Sequence, residues 1–152
     1  MNKTRLALLL LFLVLVGLVA CDSGPSEPGD QVAAVIESTR EAAEDGSTRG
    51  IMRHVSDNYR DERGQDAERI RELVRGYLMA GGDQVSIDLD IQSIEVPTRT
   101  RANAELEVGF SGAERGGRLL ARLRNRYEVS LTFDLEEDDE WRVVSAEWSA
   151  RD

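Results

Sequence analysis

The sequence predicts an α+β fold, with three N-terminal helices packed on a curved four-stranded antiparallel sheet. Apolar residues recur at about the 3.6-residue helical spacing from Asp30 to Gly82, and at a spacing of two from Val85 to the end of the chain. Alternation of that kind, apolar on one side and polar on the other, belongs to antiparallel strands with one face on a core and one in water. The order of helices first and strands afterwards separates the two kinds of element into layers.

The first helix places Val32, Val35, Ile36, Ala42 and Ala43 on one face and stops at Asp45-Gly46. Ser47 is positioned to cap a second, shorter helix with apolar positions Ile51, Met52, Val55 and Tyr59. Residues 60–65 carry no apolar side chain and read as a loop. Asp66 is positioned to cap a third helix, with Ile70, Leu73, Val74, Tyr77 and Leu78 inward and Gly81-Gly82 at its end.

The first strand turns Val85, Ile87, Leu89 and Ile91 inward; its alternation slips at Gln92-Ser93, the mark of a bulge, before Ile94 and Val96. The second turns Ala102, Ala104, Leu106, Val108 and Phe110 to the same side. The third runs from Ala121 through Leu123, Asn125, Tyr127, Val129, Leu131 and Phe133 to Leu135. After the acidic turn 136–140, the fourth covers Trp141 to Trp148. Charge suggests a register for the middle hairpin. With Glu105 opposite Arg124, Glu107 meets Arg122 and Arg101 meets Glu128, so no like charges face each other.

Residues 1–20 are set apart from the fold. Lys3 and Arg5 precede a run from Leu6 to Ala20 in which fourteen of fifteen residues are apolar, the build of a secretory signal. The run is shorter than the roughly 18–20 apolar residues that span a bilayer. It ends in Leu18-Val19-Ala20-Cys21, which resembles the lipobox of bacterial lipoproteins. The resemblance implies cleavage before Cys21 and lipidation of that residue, the chain's single cysteine. Asp22 resembles the residue that, in enteric bacteria, retains a lipoprotein in the inner membrane, with the folded part facing the periplasm. Residues 22–30 hold two of the three prolines and no apolar side chain, the composition of a tether. The folded domain is therefore expected over 31–152.

Without Lys3 and Arg5 the mature chain carries 17 basic against 29 acidic side chains, a net charge of −12, and every basic residue in it is arginine. That balance excludes a basic nucleic-acid surface and makes the lipid, not a cationic patch, the means of membrane attachment. One cysteine and one histidine exclude a Cys/His zinc site. The acidic run 136–140 lacks the spacing and glycine of a calcium loop, and Gly116-Gly117 precedes a strand where a phosphate loop opens a helix. No cofactor is expected.

The order of elements, with Asp57-Asn58-Tyr59 closing the second helix and Glu140-Trp141-Arg142-Val143-Val144-Ser145-Ala146-Glu147-Trp148 forming the last strand, resembles the nuclear transport factor 2-like superfamily, the cystatin-like α+β cone. The resemblance implies a pocket between helices and sheet. Its members include dehydratases, isomerases, epoxide hydrolases and polyketide cyclases, and many proteins that only bind ligands or partners, so fold alone selects no activity. Candidate pocket residues are Tyr59, Asn125, Tyr127 and Trp148, with Met52 and Met79 beside them. His54, at the edge of the second helix's apolar stripe, is a candidate general base with Asp57 or Tyr59. No carboxylate falls on the inward face of any strand: Asp88, Asp90, Glu105 and Glu107 all point outward by parity. The reading is a lipid-anchored, non-catalytic module for a ligand or a protein. The alternatives are a small-molecule lyase or isomerase of the dehydratase type, and a carrier of an apolar ligand. The outer sheet face leaves a homodimer open.

Overall fold

The computed structural model describes residues 27–81, 86–111 and 126–151. The expected leader, Cys21, Asp22, Val85, Asn125 and the expected start of the third strand lie outside them. Three helices, α1 (Pro28–Glu44), α2 (Thr48–Met52) and α3 (Ala67–Gly81), precede four strands, β1 (Ser86–Thr98), β2 (Arg101–Ser111), β3 (Tyr127–Leu135) and β4 (Trp141–Ala150). The strands form one antiparallel sheet in the order β1-β2-β3-β4. Among the described residues no helix is long and apolar enough to cross a membrane.

α1 starts at Pro28, inside the expected tether, because a proline in the first turn loses no hydrogen bond and has the helical φ already set. It ends as expected at Asp45, with Gly46 at φ +66° and the Ser47 N–H bonded back to the Ala42 carbonyl. Ser47 Oγ then accepts the Gly50 N–H at 3.0 Å and starts α2. Gly50 permits that crossing, since a Cβ there would lie 2.7 Å from Ala42 Cβ. Asp66 caps α3 through the Arg69 N–H at 2.9 Å.

The second helix is shorter than expected. It closes at Met52, and residues 54–60 run along the edge of β4 instead. His54 accepts the Val143 N–H, Ser56 donates to the Val143 carbonyl, and Arg60 donates to the Val144 carbonyl. Pairing this segment with the edge satisfies backbone groups that another helical turn would have left exposed on β4.

The bulge in β1 falls where the alternation slips, between Ile91 and Ser93. The hairpin register does not follow the charges. Glu105 stands opposite Ser130, six residues from the expected Arg124, and Glu107 stands opposite Glu128. The expected register would have left Val129, Leu131 and Phe133 beyond the end of β2. In the observed one Phe133 lies over Ala102 and Leu131 over Ala104. Burying one such side chain is worth roughly 1.5–3 kcal/mol, against about 0.2–1 kcal/mol for a cross-strand charge pair. Arg126 and Arg151 offset the facing carboxylates: both hold Glu107, and Arg151 reaches Glu128 at 3.6 Å. An even-numbered shift keeps every side chain on its predicted face, so the inward set survives.

The core forms where α1 lies on the sheet. Val32, Ile36, Ala102, Ala104, Leu106, Phe133 and Trp141 are buried together. Trp141 Nε1 donates to Gln31 Oε1 at 3.0 Å, which fixes the indole against α1. Three residues expected inward or beside the pocket are exposed: Tyr77, at 46 %, Met79, at 81 %, and Val96, past the bulge.

Candidate functional site

α3 stands away from the sheet, and the space between them is a cavity with two adjoining lobes. The outer lobe, about 370 Å³, is walled by Leu78, Phe110, Tyr127 and Val129; the inner, about 360 Å³, by Ile36, Tyr59, Leu131 and Phe133. Ala43, Leu73, Val74, Tyr77, Val108 and Trp148 border both. The helical period that marks Leu73, Val74 and Tyr77 as inward thus places them on a cavity wall and not in a closed core. These volumes fall within the roughly 300–1,000 Å³ of small-molecule sites.

Three polar side chains of the inner lobe, Thr39, Arg40 and Tyr59, are already engaged. Thr39 Oγ1 donates to the Val35 carbonyl at 2.8 Å. Arg40 is held between Glu37 and Glu44, and Glu44 also accepts the Ile87 N–H at 2.7 Å, a bond that holds its carboxyl below the usual range. Tyr59 is buried, its hydroxyl 3.5 Å from Asp61 Oδ2. Burial first, and the Asp61 charge second, push the Tyr59 phenol up to about 12, so it stays protonated at neutral pH. Among the described residues no histidine and no carboxylate lines either lobe.

Of the expected pocket residues, the structure brings Tyr59, Tyr127 and Trp148 to the cavity, with Tyr127 edge-on to Phe110 at a centroid distance of 6.1 Å. Asn125 lies outside the described residues. Met52 is buried but does not border the cavity, and exposed Met79 does not either.

His54 is directed elsewhere, into a separate depression shared with Asp30, Val35, Glu140 and Trp141. Its Nε2 lies 3.1 Å from Ser38 Oγ and accepts from Arg53 Nε at 3.1 Å. A nitrogen so occupied is a poor base, and burial followed by the Arg53 charge lowers the His54 pKa below 6.5. Asp57 is exposed. The depressed pKa has a consequence for stability. Below pH 6.5 the unfolded chain takes up a proton that folded His54 resists, so stability falls on acidification through that range. Because the chain has one histidine, His54→Asn is expected to flatten urea-unfolding stability just below pH 6.5. An unchanged slope in the variant would place the titration on other groups.

Sequence reasoning missed the buried polar groups of residues 56–61, a stretch read as helix end and start of a loop. Ser56 is fully buried and donates to Glu136 Oε1 at 2.6 Å, and Glu136 is held in turn by Arg142. Asp61 is buried too, its Oδ1 accepting the N–H groups of Arg63 and Gln65. The available signal was Asp61-Glu62-Arg63-Gly64, a turn sequence with glycine at its fourth position, here at φ +73°. The turn sets Arg63 over the Trp148 ring, 4.5 Å from its centroid. The acidic turn 136–140 is partly a structural device, since Arg142 binds Glu136 and Asp138 together; among the described residues no group of acidic, histidine or cysteine side chains is placed to hold a metal.

No family model and no curated protein matches the sequence. Solved structures match the fold. A domain of unknown function with a cystatin-like fold from Nostoc punctiforme superposes with a TM-score of 0.65 at 8% identity, over 84% of this chain and 80% of that one. An uncharacterized cystatin-like protein from Caulobacter vibrioides gives 0.65 at 13% identity, over 84% and 92%. A ketosteroid isomerase-like protein from Erwinia carotovora atroseptica gives 0.64 at 9% identity, over 84% and 98%. The chain therefore has the α+β architecture of cystatin-like, NTF2-like proteins. At these identities the likeness is one of fold.

Proposed function

We propose that the protein is a lipoprotein, anchored through Cys21 to the inner membrane and facing the periplasm, whose three helices and sheet form a cone that binds an apolar small molecule without transforming it. The carrying observation is the lining: two adjoining apolar lobes with no histidine or carboxylate among the described residues. Isomerase chemistry of the ketosteroid kind uses a carboxylate base within an apolar site, and dehydratase chemistry likewise needs a base at the substrate. Here His54 and Asp57 lie outside the cavity and Tyr59 alone of the three reaches it. An apolar ligand gains from leaving water and needs few polar contacts.

The cavity is tested with a neutral apolar fluorophore such as N-phenyl-1-naphthylamine, expected to bind saturably with one molecule per chain. Non-saturable uptake, or none, would contradict the reading. The anchor is tested separately by growing the source cells with an alkyne-tagged palmitate. Incorporation is expected in the wild type and its loss in Cys21→Ala; because Cys21 is the only cysteine, an unlabelled wild type removes the anchor outright.

A further inference from the structure

We propose that the occupant of the cavity is a single-chain amphiphile with an anionic head group, its chain in the apolar lobes and its head received by Arg63. The proposal rests on the cavity reading above and adds the chemical class of the ligand.

Among the described residues no free cation lines either lobe, and the polar side chains that line the inner lobe alone are taken. Thr39 is bonded to its own helix, Arg40 is neutralised by two glutamates, and the Tyr59 hydroxyl faces Asp61. A buried polar group without a partner costs roughly 1–3 kcal/mol, so a ligand's head belongs outside the apolar walls. Arg63 is the cation placed to meet it. Its guanidinium lies over Trp148, which borders both lobes, and its charge acts on Tyr59, which borders the inner one.

The side chain is exposed and has no ion pair among the described residues. Asp61, its nearest acidic neighbour in sequence but one, is engaged with the Arg63 and Gln65 N–H groups and the Tyr59 hydroxyl. No side-chain N–H of Arg63 has an acceptor among the described residues, and an open guanidinium fork takes a carboxylate or phosphate bidentately. In a chain with a net charge of −10, a cation held in this way beside an apolar cavity selects anionic heads locally, against a surface that repels anions elsewhere.

The test uses the whole mature chain, residues 21–152, made without its lipid, and measures displacement of the neutral fluorophore by laurate, dodecyl phosphate and dodecanol. The three share a chain and differ in the head. At least one anion is expected to bind about tenfold more tightly than dodecanol, and the preferred anion identifies the head. Arg63→Gln is expected to abolish the preference, bringing the anions to the affinity of dodecanol. Arg63→Lys, which keeps charge but lacks the planar fork, should retain part of it. Equal binding of anions and alcohol by the wild type, or a preference that survives Arg63→Gln, overturns the head-group proposal and leaves the cavity reading standing. Failure of both dodecanol and the fluorophore to bind overturns the cavity reading itself.

Discussion

Phe133→Ala is expected to lower stability by about 3–5 kcal/mol, the range for truncating a buried phenylalanine. Phe133 is 0 % exposed, lies opposite Ala102 and Val143 in the sheet, and meets Val32, Ile36 and Trp141 across the core. Ala102 is too small to refill the space, and α1 is held against β1 by the Glu44 bond to the Ile87 N–H, so collapse into the void is restricted. Against the roughly 5–15 kcal/mol that a domain has in total, such a loss brings the fold close to its limit. Chemical denaturation should show a lower midpoint with an unchanged slope. Met79→Ala, at a site 81 % exposed, should change stability by no more than about 0.5 kcal/mol. A cost below about 1 kcal/mol at Phe133 would mean that the core is not organised around this residue.

Ala43→Phe is expected to weaken binding of the neutral fluorophore by about 100-fold or more. Ala43 sits on the last turn of α1 and borders both lobes, so a phenyl ring there projects into the space the ligand needs. Because the ring enters a void and not packed atoms, the stability change should stay within the roughly 1–3 kcal/mol of an overpacked site, or below it. Circular dichroism and denaturation then separate loss of binding from loss of fold. Undiminished affinity in a folded Ala43→Phe protein would place the bound molecule elsewhere.

The parts of the fold that depend on local periodicity were legible in the sequence. Val32 and Ile36 on α1, Ala102 to Leu106 on β2 and the slip at Gln92 all follow from the spacing of apolar residues and are found where that spacing puts them. The parts that depend on competition between distant groups were not. The β2–β3 register was read from charge pairs, which are weak, whereas the burial of Phe133 and Leu131 decides it and tolerates Glu107 facing Glu128. The burial of Asp61 was hidden because its carboxylate serves backbone N–H groups, leaving no apolar pattern to detect.

The site was legible in the same uneven way. Tyr59, Tyr127 and Trp148 reach the cavity because strand parity and helix period fix the side to which a residue points. Whether a face meets a packed core or an open space depends on how far α3 stands from the sheet, a distance that no period encodes. His54 shows the limit most clearly. Its place at the edge of an apolar stripe is equally compatible with the cavity or the opposite side, and the early end of α2, with the pairing of 54–60 to β4, turns it toward Ser38 and Arg53.

The central claim is that the space between α3 and the sheet holds an apolar molecule. It is tested most directly by native mass spectrometry of the protein purified from its own cells under mild conditions, before and after addition of dodecanol. The account predicts one retained small molecule per chain, released on denaturation, or an emptied chain that takes up one dodecanol. A chain that carries nothing beyond its own mass and any covalent lipid, and that takes up no dodecanol, would contradict it.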